Sequence, residues 1–200
     1  MAVTLNASTS TGYIQTADTS GSLALQSNGT TQLTVSSTGA YGQLKASTAV
    51  ASTSGTSIDF TSIPSWVKRI TIMFDSVSLS GTDNILVQIG DSGGVETTGY
   101  VSSSAYAISG GASVGTSSTS GFSIIVGSSG NGVTGTMQLV NITGNTWVSS
   151  CSLTYFTGTA AAIGGAGSKT LSPGSLDRVS ITRTGTNTFD AGTINILYEG

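Results

Sequence analysis

The sequence predicts an all-β protein: an N-terminal β-hairpin block serving as a stem or attachment piece, then a jelly-roll-like β-sandwich domain. Three observations carry this. Val, Ile, Leu, Thr, Tyr and Phe fall in short runs of period two, the pattern of a strand with one buried face. Gly, Ser, Asn and Asp separate these runs and supply turns. Good helix formers are scarce, with charged residues at 8% of the chain against about a quarter in an average domain.

Residues 1–43 form the first block. Leu23 and Leu25 share one face of a short run, and Leu33 and Val35 share one face of the next. Asn28-Gly29 lies between them, and this pair supplies the positive φ angles of a tight hairpin turn. A lone hairpin is marginal in water. The stripe of Leu23, Leu25, Leu33 and Val35 therefore asks for a partner, either the rest of the chain or other copies in a trimeric stem. Residues 44–57 are low in complexity and are expected as a linker.

Residues 58–200 form the larger domain, with strands expected at 58–60, 66–79, 84–89, 100–108, 121–126, 135–141, 146–156, 177–183 and 191–198. In the second of these, Ile70, Ile72 and Phe74 point inward, followed by Val77 and Leu79. The change of parity predicts a bulge near Asp75. The Gly- and Ala-rich stretch 158–169 is expected as a flexible loop.

The same composition removes whole classes of function. Nucleic-acid binding needs a basic stripe. The six cations are Lys45, Lys68, Arg69, Lys169, Arg178 and Arg183, and only Lys68 and Arg69 adjoin. No run approaches the ~18 apolar residues of a membrane helix, and the first residues lack the basic start and apolar run of a secretion signal. Ser and Thr make up about a third of the chain, so solubility rests on hydroxyls rather than charge.

Chemistry is equally thin. The chain has no histidine and one cysteine, Cys151, which lies in an alternating run and reads as a buried small hydrophobe. Residues 90–94, Gly-Asp-Ser-Gly-Gly, match the string around a serine-protease nucleophile, but that chemistry needs a histidine base. The glycines read instead as a turn after a strand. Asp83-Asn84 and residues 91–94 offer oxygen ligands for calcium, yet the EF-hand spacing is absent and turn-capping is the simpler role. No catalytic, metal or cofactor-binding residue is expected, and no cofactor. Trp66, Phe60, Phe74 and Phe156 read as core. Tyr100, Tyr106 and Trp147 adjoin polar segments and are the candidates to stack on a sugar or contact another binding partner.

Several strings carry a resemblance. Residues 12–29 (GYIQTADTSGSLALQSNG) resemble the opening module of tail-fibre and related virion proteins of tailed bacteriophages. Residues 57–74 (SIDFTSIPSWVKRITIMF), residues 86–100, beginning LVQIGDSGG, and residues 189–199 (FDAGTINILYE) are similar to the C-terminal domain of such proteins. The resemblance implies a virion component assembled in the host cytoplasm, a homotrimer, an N-terminal part that meets other virion proteins or forms a stem, and a β domain displayed outward. The chain is short for a long fibre. That leaves open a short tail fibre or receptor-binding protein, or a capsid decoration or head-fibre protein without a receptor role. The family has no catalytic motif to carry over.

Overall fold

The structure is a computed structural model that describes residues 23–27, 29–36, 39–41, 44–108, 110–157 and 159–200. The chain divides into two compact units, Met1–Gln43 and Leu44–Gly200. All regular structure among the described residues is strand.

In the first unit, β1 (Leu23–Ser27), β2 (Thr30–Ser36) and β3 (Gly39–Tyr41) form an antiparallel sheet in that order. Ser27 faces Thr30 across the tight turn read from the sequence, and Gly29 there has φ +74°.

The second unit is a β-sandwich. Its strands are β4 (Leu44–Ala46), β5 (Val50–Ala51), β6 (Ile58–Phe60), β7 (Arg69–Leu79), β8 (Ile85–Asp91), β9 (Gly94–Val95), β10 (Val101–Ile108), β11 (Val114–Ser118), β12 (Phe122–Ile124), β13 (Val133–Thr143), β14 (Thr146–Thr157), β15 (Thr159–Thr170), β16 (Arg178–Arg183) and β17 (Phe189–Glu199). The larger sheet runs β11-β10-β15-β14-β13-β7-β17-β4, with β5 also on β17. The smaller runs β12-β8-β16-β6, with β9 on β8. Three antiparallel pairs nest in sequence and alternate between the sheets: β7 with β17, β8 with β16, β10 with β15. This is the folded ribbon of a jelly roll. The innermost hairpin, β13–β14, departs from it by joining the larger sheet between β7 and β15.

The core lies between the sheets. Ile70, Ile72 and Phe74 of β7, Met137 and Leu139 of β13, and Ile194 and Ile196 of β17 meet Ile85, Val87, Ile89, Phe122, Val179 and Ile181 of the smaller sheet. The predicted bulge is present. Phe74 and Val77 face Gly135 and Val133, while Asp75 and Ser78 face Thr193 and Ala191, so β7 carries one extra residue against both neighbours. Ser76 takes φ 54° there, and its amide donates to Thr134 Oγ1 at 3.0 Å.

Two expectations give way. The stretch 158–169 is not a flexible loop: β15 pairs with β14 from Thr146–Thr170 to Thr157–Thr159, and with β10 on its other side. Its small residues answer a packing demand rather than a need for mobility. A Cβ on Gly165 would lie 2.8 Å from Ser104 Cβ, and one on Gly167 would lie 2.6 Å from the Val101 carbonyl. The stretch 44–57 is not a free linker either, because β4 and β5 pair with β17 and Ser52 Oγ donates to the Ala191 carbonyl at 2.9 Å. Its low-complexity run hides an edge, since side chains there face solvent and need no apolar pattern.

Candidate functional site

The hairpin stripe is built by register. Leu23 faces Val35 and Leu25 faces Leu33, so the residues read as one stripe form two adjacent cross-strand pairs. Side chains of directly opposed residues lie on one face and touch. A register slip follows between Leu25 and Gln26. Leu25 is 43% exposed and Leu33 is half-buried. The side chains of Leu23 and Val35 lie outside the described residues.

The aromatic positions are corrected. Tyr100 is 1% exposed and offers no face for stacking. Its hydroxyl accepts from the Ile89 amide at 2.8 Å and points its proton toward the Glu96 carbonyl at 2.9 Å and the Ile89 carbonyl at 3.1 Å. Its ring meets Phe122 edge-on, centroids 5.1 Å apart, with Lys169 Nζ 5.4 Å from its centroid. Burial pushes its phenol pKa up. Trp147 is buried in the core as well. Tyr106 is half-buried and edge-on to Tyr155 at 5.6 Å. Burial, then the neighbouring Tyr106, raises the Tyr155 pKa. Position beside a polar segment misled for Tyr100 and Trp147, because a strand's period puts alternate residues inside whatever flanks it. Phe60 and Phe74 are core as read, and Trp66 is half-buried against Tyr198. The Phe156 side chain lies outside the described residues.

The polar loops are fasteners. In the Gly90-to-Gly94 string, Asp91 Oδ1 accepts from the Gly93 amide and Oδ2 from the Gly174 amide, each at 2.8 Å. These bonds hold its carboxyl below the usual range, the Gly93 amide first and Gly174 next. Ser92 is exposed at the tip. Asp83 Oδ2 accepts from the Asn187 amide at 2.8 Å, and Asn84 Oδ1 from the Val126 amide at 3.1 Å. Among the described residues, no group of three or more His, Cys, Asp or Glu gathers to hold a metal. Cys151 is half-buried, and burial pushes its thiol up to about 11, where it is inert as a nucleophile.

Two features escaped the sequence reading. Lys169 turns inward, 7% exposed in its side chain, to pair with Glu96, which also accepts from the Ser172 amide at 2.8 Å. On the outer surface, a depression of about 640 Å³ opens over β10, β11 and β15, floored by Ser103, Ala105, Gly164 and Ala166. The missed signal for both was the alternation in β15, where Ala161, Ile163 and Lys169 share a parity but Ala and Gly mute it. Compared with protein-family models, with curated proteins and with solved structures, the chain gave no match.

Proposed function

We propose that this chain is a structural component of a bacteriophage particle, a short trimeric tail fibre or receptor-binding protein that works by assembly and contact rather than by catalysis. The observation that carries the reading is the Leu25–Leu33 pair. Leu25 remains 43% exposed opposite Leu33, in register with Leu23 and Val35. Among the described residues of this unit, the three short strands form one layer, and such a sheet needs a partner to cover its stripe. Three copies meeting at a shared axis would bury it. The family strings in residues 12–29, 57–74, 86–100 and 189–199 supply the particle context, and the sandwich of residues 44–200 is the part presented to the host surface, a glycan or a protein. Of the aromatic candidates, Tyr106 alone retains exposure for such a contact.

The test joins mass and location. Sedimentation equilibrium at micromolar concentration should give three times the chain mass, and Leu25→Lys with Leu33→Lys should lower it. A monomeric wild-type chain overturns the trimer. Immunogold labelling of particles should decorate the tail, and antibody should block adsorption. Label on the capsid with adsorption intact would replace the receptor role with head decoration.

A further inference from the structure

Four adjoining strands, β10, β15, β14 and β13, make the middle of the larger sheet. Together they carry a single charged side chain, Lys169. Lysines default to solvent. This one turns inward and is neutralised by Glu96. The outward face of all four strands is therefore free of charge. Val101, Ser168, Val148 and Val140 form one continuous row across it by register. Val101 is 72% exposed, and Ile142, one outward position beyond Val140, is 62% exposed.

The size of this face fits a protein partner. Four strands spaced about 4.8 Å apart, each about ten residues long at about 3.4 Å per residue, give roughly 650 Å². Each partner in a standard interface contributes about 800 Å². Interface centres are depleted in charge, and a neutral face loses far less on desolvation than a charged one. A polyanion or other charged partner gains no steering here. We propose that this outward face is buried against a second copy of the chain, so that the oligomer is joined in the sandwich as well as at the hairpin stripe. This rests on the reading of the chain as an oligomeric fibre component.

The experiment is sedimentation equilibrium of the full chain over a range of concentrations. The wild type is compared with Ser150→Arg/Thr136→Arg, two exposed outward positions, and with Leu25→Lys/Leu33→Lys in the hairpin. The face variant should need at least tenfold more protein to reach the wild-type mass. A face variant that assembles like wild type overturns this proposal. If the hairpin variant dissociates in that same series, the fibre reading stands without it. A wild-type monomer overturns both. Hydroxyl-radical footprinting of the unaltered chain guards against a variant that fails to fold. Val101 and Ile142 should be protected at assembling concentrations and modified on dilution. Equal modification at both concentrations overturns the proposal.

Discussion

In the smaller sheet, every residue of β8 is buried, including Leu86 and Gln88, which face away from the other sheet. Polar side chains fasten this strand to the loops around it. Gln88 Nε2 donates to the Ser120 carbonyl at 2.7 Å, Tyr100 brackets Ile89, and Asp91 reaches the Gly174 amide. In the middle of the larger sheet, β10, β13, β14 and β15 are longer and bury alternate residues on one side. Close approaches between these strands are made at Gly135, Gly165 and Gly167, and their outward face carries no charge. The difference teaches where specificity sits. The smaller sheet is positioned by directional bonds that few sequences could supply. The middle of the larger sheet is positioned by ladder hydrogen bonds and by small residues where backbones meet.

Substitutions should separate the two. The largest effect is expected for Phe122→Ala, since Phe122 is fully buried between the sheets and holds the Tyr100 ring edge-on. Truncation there should cost about 3–5 kcal/mol in urea unfolding. The outward Thr136→Ala in the larger sheet should stay within about 0.5 kcal/mol when measured at high dilution. Similar costs for the pair would erase the contrast. Next comes Lys169→Met, which strips the partner from Glu96. The expected loss is about 2–4 kcal/mol, because a partly buried carboxylate is left without its cation. Adding Glu96→Gln should recover much of it, since the amide oxygen still accepts from the Ser172 amide. If the double variant is no better than the single, the two side chains are not coupled. Gly192→Ala probes clearance. Gly192 has φ +96°, and a Cβ there would lie 2.5 Å from the Ser76 carbonyl at the bulge. The added methyl should cost about 1–3 kcal/mol through backbone strain.

Legibility followed the same division. Strands with large β-branched residues could be read directly: the inward set of Ile70, Ile72, Phe74, Val77 and Leu79 is buried throughout, and the missing period between Phe74 and Val77 marked the bulge. The hairpin could be read because Asn28-Gly29 sets the turn, but its register could not: Ser27 opposite Thr30 alone would put Leu25 opposite Gln32, and the slip between Leu25 and Gln26 brings it opposite Leu33. β15 could not, because its alternation is written in Ala and Gly, which carry almost no hydrophobic contrast, and the reason they are small is a neighbour's backbone. β11 and β4 escaped for a related reason: edge strands exposed to solvent need no apolar face. Of the proposed contact residues, Tyr100 and Trp147 failed because no local signal tells which parity of a strand meets the opposite sheet. The inward Lys169 was illegible because its partner lies 73 residues away in sequence, at Glu96.

The smallest effect is a difference in acid sensitivity. Asp91 receives the Gly93 and Gly174 amides, and these hold its folded-state pKa below the ordinary carboxylate value of about 3.9. A carboxyl depressed on folding contributes stability that is fully present above the unfolded value and lost as pH falls through the folded one. The tie should therefore weaken below about pH 4, and urea midpoints measured at pH 6 and pH 3 should fall further for wild type than for Asp91→Asn. Glu199 is also held below its usual range, by its bond to Arg69. That pair is largely exposed and is screened by salt. Repeating the series at about 1 M NaCl, where the Debye length shrinks to about 3 Å, should remove the Glu199 share and leave the Asp91 share, whose partners are backbone amides at hydrogen-bond distance. β10, β13, β14 and β15 hold no carboxylate at all. Acid should thus loosen the loops around β8 first, and hydrogen exchange at pH 3 should rise at Gly93 and Gly174 while β13 and β14 stay protected. Equal slopes for wild type and Asp91→Asn would show that the smaller sheet is not fastened in this way.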